Sequence, residues 1–299
     1  MPKIEYVEKN FRARTLLLID LANKIIEDYQ RRGYELTLRQ LYYQLVAKDL
    51  IANSEKAYKM LGGAIQQGRD AGLVDWLAIV DRTRGRRGLT TWSDPGEIVN
   101  ACVHSYRIDK WSGQEYRLFV WVEKEALAGV VQRACSSEDV QVDYLSCRGY
   151  MSASTIWREA RNIRRASDNG QTPVILHLGD HDPSGIDMTR DNVERLELYS
   201  ELYDGLGFVF RRIALNWSQV DEYNPPPNPT KLTDSRARAY VKDYGYESWE
   251  LDALDPDVLV ALIRGTIASY RDDGEWDKLV KVENAQKAQL AAVADSFTG

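Results

Sequence analysis

The chain has 299 residues, is 44% apolar and 28% charged, and carries a formal net charge of −6. Those proportions describe an ordinary globular protein with room for two domains, and no apolar run approaches the ~20 residues a membrane helix needs. The opening M-P-K-I-E-Y-V-E-K-N has no signal-peptide core, and Cys102, Cys135 and Cys147 form neither a zinc spacing nor a disulfide framework. The expectation is a cytoplasmic protein. Its three histidines are too few and too dispersed for a histidine-based metal site.

The net charge argues against nucleic acid, but its distribution matters more than its sum. Up to Glu115 there are 18 Lys and Arg against 15 Asp and Glu; the remainder has 21 against 30. A basic front on an acidic back suits a DNA-binding module joined to a carboxylate-rich one, and equally suits chance.

From about Asn10 to Arg32, Leu17, Leu18, Leu21 and Ile25 recur at helical spacing, and Gly33 closes the helix. Thr37 is a plausible cap for a second helix, whose buried face is Leu38, Leu41, Tyr42 and Leu45. Tyr43 lies ~100° further round, and Arg39, four residues earlier, shares its face. An exposed phenol beside a guanidinium suits a nucleophile aimed at a phosphodiester, because the cation holds the phosphate and favours the phenolate. A tyrosine at the edge of a core fits the same pattern. A third helix is predicted from Asn53 and Ser54 to Ala71, with Tyr58, Leu61 and Ile65 inward.

Trp76–Val80 then reads as a strand, Arg82–Gly88 as a basic loop, and Leu89–Trp92 as a returning strand. This is the order of a winged helix, in which Arg82, Arg84, Arg86 and Arg87 would run along DNA phosphates. A solvated turn is the plain alternative. Residues 94–113 read as a connector with one helix, Pro95–His104.

From Tyr116 strands alternate with helices. The apolar strand Y-R-L-F-V-W-V ends at Glu123, and a helix covers Glu125–Ala134. Val140–Leu145 is a strand, Ala153–Ser167 a helix, Val174–Leu178 a strand, Ser184–Tyr199 a helix, and Phe208–Leu215 a strand. The alternation predicts a mainly parallel sheet with helices on both faces, whose ligands gather beyond the carboxyl ends of the strands. Glu123 stands at one such end, and Asp180 and Asp182 at another. Three carboxylates without His or Cys suit Mg²⁺ or Mn²⁺. Asp180–Asp191 superficially matches a calcium loop, but Pro183 lies inside it, Asp187 stands where an apolar residue belongs, and a strand precedes it. A phosphatase-type D-x-D nucleophile would follow the first strand of its domain, which this one does not.

V-E-K-E-A after a first strand and D-x-D-P-x-G after a later one resemble a Toprim domain. With R-x-x-Y-Y (Arg39–Tyr43) on a preceding winged helix, the chain is similar over about Asn10–Leu215 to the A subunit of topoisomerase VI and the related meiotic double-strand-break protein. It most resembles their compact mini-A relatives of bacteria and viruses. The resemblance implies a winged-helix (CAP-like) domain over residues 1–93, a connector over 94–115, and a Toprim, Rossmann-like domain with a helical extension over 116–299. It implies Tyr43 as nucleophile, Arg39 steadying the scissile phosphate, and Glu123, Asp180 and Asp182 as metal triad. Arg148 falls in a basic, glycine-containing turn that the family also has. A 5′-phosphotyrosyl link to double-stranded DNA is the implied product. The implied assembly is a homodimer in which one chain's tyrosine meets the other chain's metal site. About 40 residues precede Tyr43 and no ATP-binding motif occurs, so an ATPase partner and ATP-coupled strand passage are not expected.

Asn216–Thr230 reads as an extended proline-rich connector, followed by helices at Asp234–Asp243, Asp257–Tyr270 and Trp276–Ala294. Among Glu247, Glu250 and Asp252 one acid could join the metal site, or the segment could simply pack. A Toprim nuclease using metal-activated water, with Tyr43 structural, and a non-catalytic DNA-binding protein remain as rival readings.

Overall fold

The computed structural model describes residues 3–80 and 91–295. Arg82, Arg84, Arg86 and Arg87 lie outside the described residues.

Three helices open the chain: α1 (Ala13–Arg31), α2 (Leu38–Ala47) and α3 (Glu55–Asp70). Thr37 and Gln40 form the reciprocal capping box that starts α2, and Ser54 caps α3 by accepting from the Ala57 amide at 3.2 Å. Their shared core includes Leu18, Ile26, Leu41, Leu45, Leu61 and Ile65. The buried face of α1 is Leu18, Ile19, Ala22, Ile25, Ile26 and Tyr29, so Leu17, expected inside, points outward.

The predicted strand Trp76–Val80 does not form. Asp75 accepts from the Leu77 amide at 2.9 Å and its carbonyl from Ala78 at 3.3 Å, which bends the chain into a turn. Only one bridge survives, Leu36 with Ile79. The described residues therefore show a three-helix cluster without the first wing strand.

After α4 (Pro95–Ser105), capped by Asp94, the α/β unit follows. It comprises β1 (Tyr116–Val122), a 3₁₀ turn (Glu125–Leu127), α5 (Ala128–Cys135), β2 (Asp143–Ser146), α6 (Ala153–Asp168), β3 (Thr172–Leu178), α7 (Pro183–Ser200) and β4 (Val209–Ala214). The sheet is four-stranded in the order β2-β1-β3-β4, all parallel. The period of two sorts the strands: Leu118, Val120, Val122, Val174 and Leu176 face the side covered by α5, while Phe119, Trp121 and Ile175 face α6 and α7. From β1 the chain turns to β2 on one flank and later to β3 on the other. The β1–β3 boundary is thus the topological switch point, where the outgoing loops part to opposite faces and leave a crevice.

The segment expected to be extended from Asn216 contains α8 (Trp217–Tyr223). Gln219 folds back to accept from the Asn216 amide at 2.8 Å, and the prolines begin only after the helix ends. Then come β5 (Asn228–Pro229), α9 (Ala237–Tyr244), β6 (Glu247–Ser248), a 3₁₀ turn (Leu251–Ala253), α10 (Pro256–Ala268) and α11 (Asp273–Asp295). Helix α10 joins α5 on its face of the sheet through Leu259, Ile263 and Ile267.

Candidate functional site

The D-x-D-P-x-G stretch forms the loop from β3 into α7. Asp182 is the N-cap of α7: its Oδ1 accepts from the Gly185 amide at 2.6 Å and from Ser184 at 2.9 Å, and Pro183 opens the helix. Gly185 is required by space, since a Cβ there would lie 2.2 Å from the Asp180 carbonyl oxygen. Arg212 of β4 clamps the loop from behind, donating to the carbonyls of Gly179 at 2.8 Å and Asp180 at 2.6 Å. On β1, Glu123 Oε2 accepts from the Asp180 amide at 2.8 Å. Backbone and side chain thus bring Glu123, Asp180 and Asp182 to one edge of the sheet.

Glu123 and Asp180 are both buried. Burial raises the Glu123 carboxyl above the usual range. Burial likewise pushes Asp180 up to about 8, with the neighbouring Glu123 adding to the rise and Lys124 opposing it. The donor set is all oxygen and fits a hard divalent cation, which would offset the charge that these two buried carboxylates carry when ionised. Among the described residues, however, no three His, Cys, Asp or Glu side chains are gathered closely enough to hold a metal ion.

Besides Arg212, Lys124, which follows Glu123, brings a positive charge to the loop. Its Nζ lies 2.9 Å from Asp180 Oδ1, 2.6 Å from Glu250 Oε2 and 2.8 Å from Asp252 Oδ1. Burial disfavours the ammonium, but these three carboxylates outweigh it and hold Lys124 charged. The acids arrive on the segment after β6. There the His181 and Trp249 backbones pair at 2.8 and 2.9 Å, and the Leu251 amide donates to Asp180 Oδ1 at 2.8 Å. Of the C-terminal acids, Glu250 and Asp252 therefore join the cluster.

Arg39 reaches the same two acids from α2: Nη2 bonds Glu250, and Nε lies 3.4 Å from Asp252. Its Nη2 is also 3.5 Å from the Tyr43 hydroxyl. Asn228 Nδ2 bridges Tyr43 at 3.4 Å and Glu250 at 3.3 Å, and Arg39 Nη2 likewise bonds both, which sets the Glu250 carboxylate beside the phenol. The expected exposed phenol is corrected: Tyr43 is only 4% exposed. Its ring packs in the core of the helix cluster beside Tyr42, their centroids 5.1 Å apart, while its hydroxyl faces Asn228 of β5. Burial, then the Glu250 carboxylate, raise the phenol above its ordinary value and keep it protonated. Tyr42 is an anchor. Its hydroxyl donates to Asn53 at 2.9 Å and accepts from the Ser54 amide at 2.8 Å.

Arg148 is exposed at the same sheet edge and pairs with Glu125 at 3.1 Å. Its backbone is left-handed, as is that of Gly149, whose amide faces the Glu123 carbonyl at 3.3 Å. So Tyr43, Arg39, Glu123, Asp180 and Asp182 belong to one connected region of a single chain, with Arg148 at its rim. Lys124, Glu250, Asp252, Asn228 and Arg212 were not assigned from sequence. Lys124 had a signal, its place in V-E-K-E-A; Asn228, in a proline-rich stretch, had none.

Fold and site together define an α/β protein with a four-stranded parallel sheet and a charge-dense cluster at its switch point. No protein-family model matches the chain, and no curated protein matches it. Among the described residues no helix is long and apolar enough to cross a membrane.

Proposed function

We propose that this chain is a topoisomerase VI A-like transesterase that cleaves double-stranded DNA. On this reading the helix cluster is the DNA-binding module, and the sheet with its C-terminal extension is a Toprim domain. The Tyr43 oxygen attacks a backbone phosphorus and forms a 5′-phosphotyrosyl link. Arg39 holds the phosphate, and Arg148 with the arginines of 82–87 lies along the backbone. Glu123, Asp180 and Asp182 would hold Mg²⁺ or Mn²⁺, which when bound offsets charge on the phosphate oxygens and orients the phosphate. Two copies are needed to cut both strands, so the working form is a homodimer. The observation that carries the reading is the single network of Tyr43, Arg39, Glu250, Lys124 and Asp180 at the carboxyl ends of β1 and β3.

One observation favours a second reading. Tyr43 is buried and held protonated, which suits hydrolysis by water with the tyrosine structural. Supercoiled plasmid incubated with the protein and Mg²⁺ or Mn²⁺, then denatured with and without protease, separates the two. The transesterase leaves protein on the cut ends and loses that product in Tyr43→Phe. Free ends, with cutting unchanged in Tyr43→Phe, overturn the tyrosine's role.

A further inference from the structure

A tyrosine that attacks phosphorus must first lose its proton, and the fold surrounds Tyr43 with few groups able to take it. Two groups bond the hydroxyl, Arg39 from its own helix and Asn228 of β5, and both also bond Glu250, from the segment after β6, which sets that carboxylate beside the phenol. Arg39 and Asn228 present N–H donors and take no proton. Glu250 alone among them is a carboxylate. Its Oε1 is steadied by Asn228 at 3.3 Å, the amide that also holds the phenol. Its Oε2 bears two cations, Lys124 at 2.6 Å and Arg39. Asp252 shares both cations, from 2.8 Å and 3.4 Å.

Resting on the transesterase reading, we propose that Glu250 is the group that accepts the Tyr43 proton, and that Arg39 and Lys124 restrain it until a DNA phosphate draws them away. Burial works against the Glu250 carboxylate, but Lys124 and Arg39 overcome it and hold its pKa at about 2. In that condition it is ionised, and a weak base. Both restraining cations carry the chemistry that a phosphodiester attracts, and the Arg39 side chain is half exposed. A phosphate that engages them removes positive charge from Glu250 and raises its basicity beside the phenol. The same displacement loosens the cover over Tyr43. The device thus ties deprotonation to the arrival of substrate.

The step balances. The Tyr43 Oη–P bond forms and the P–O3′ bond breaks. The leaving 3′-oxygen keeps the electron pair and takes a proton from water. The phenolic proton passes to Glu250 and from there to solvent.

The test is the rate of covalent tyrosyl–DNA formation on plasmid by the full chain, native, Glu250→Gln and Glu250→Asp, from pH 6 to 10. A lost base of this kind lowers the rate about 10²–10³-fold near pH 7. The Gln variant should then gain about tenfold per pH unit as hydroxide replaces Glu250, while the native profile stays nearly flat and Asp restores part of the rate. A Gln variant slowed equally at every pH, its profile parallel to native, assigns Glu250 a packing role and overturns the proposal, as does an unslowed one. Native protein that traps no tyrosyl link at all overturns the transesterase reading and this proposal together. These outcomes are separated by the native protein alone.

Discussion

At the residue scale, the neighbours Tyr42 and Tyr43 were divisible in sequence by one helical step. The division does not hold for the rings, which both sit in the helix cluster's core; only the hydroxyls part, Tyr42's to Asn53 and Tyr43's to Arg39 and Asn228. What covers Tyr43 was not legible, since Asn228 and Glu250 come from about two hundred residues further along the chain, and a helical face does not say what packs on it. Lys124 teaches a related lesson. A lysine beside a glutamate looks like a solvated charge, yet here it neutralises Asp180, Glu250 and Asp252, whose side chains are 8%, 22% and 0% exposed. Replacing Lys124 with Met should therefore destabilise the fold by about 3–5 kcal/mol, the usual penalty for breaking a buried ion pair from one side. Urea unfolding measures it. The loss should be largest at neutral pH and shrink in acid, as the orphaned carboxyls take up protons. A loss below about 1 kcal/mol would mean that water, not Lys124, balances these acids.

At the element scale, the helices and parallel strands were legible because their signals are local: apolar period, N-caps and glycine or proline at the ends. Helix α7 begins where Asp182 and Pro183 say it should, and α2 where Thr37 does. The failures are where a partner decides. Trp76–Val80 has the composition of a strand, but its one strand-type bridge among the described residues is Ile79 with Leu36, and its amides turn back on Asp75. The connector's prolines masked α8, whose cap sits just upstream. Helix α11 offers a test of how an outlying element is held. Its Glu283 is buried and meets Lys110 at 2.8 Å, Lys287 at 2.9 Å and the Ile108 amide at 2.8 Å. Burial opposes its charge, but these donors bring the carboxyl from an ordinary 4.5 down to about 2. A lowered carboxyl stabilises the folded chain fully above its unfolded value and loses that contribution as pH falls through the folded one. Glu283 should thus contribute about 3 kcal/mol at neutral pH, lost between roughly pH 4.5 and 2. Glu283→Gln should lower stability at pH 7 and flatten that acid limb in chemical denaturation. An acid limb unchanged in slope would remove the pair from the account of α11.

At the scale of the whole molecule, the resemblance assigns the tyrosine and the acids of one working site to two chains, whereas this chain joins them itself. Asn228 and Arg39 hold the Tyr43 hydroxyl and both bond Glu250, and the residue after Glu250, Leu251, donates to Asp180 at 2.8 Å. One short segment therefore bonds the two groups that hold Tyr43 with one side chain, and the carboxylate loop with the following amide. The helix cluster is fastened to the same region independently, since Arg32 pairs with Asp255 at 3.2 Å and Ala253 packs into the helices' own core. Handing Tyr43 to another chain would break the polar contacts around its hydroxyl and swing α2 away from a packed surface. On the proposed reading, these contacts favour a site completed within each chain, and a dimer would serve to cut the second strand. Mixing Tyr43→Phe with Asp180→Asn protein decides between these. If each site is internal, every chain in the mixture lacks one essential group, and no covalent DNA complex forms at any ratio. If sites are shared across a two-fold axis, about half the dimers in an equal mixture are hybrids with one intact site, and protease-sensitive nicks return. We expect none to return, with light scattering confirming that both variants keep the native assembly and exchange subunits.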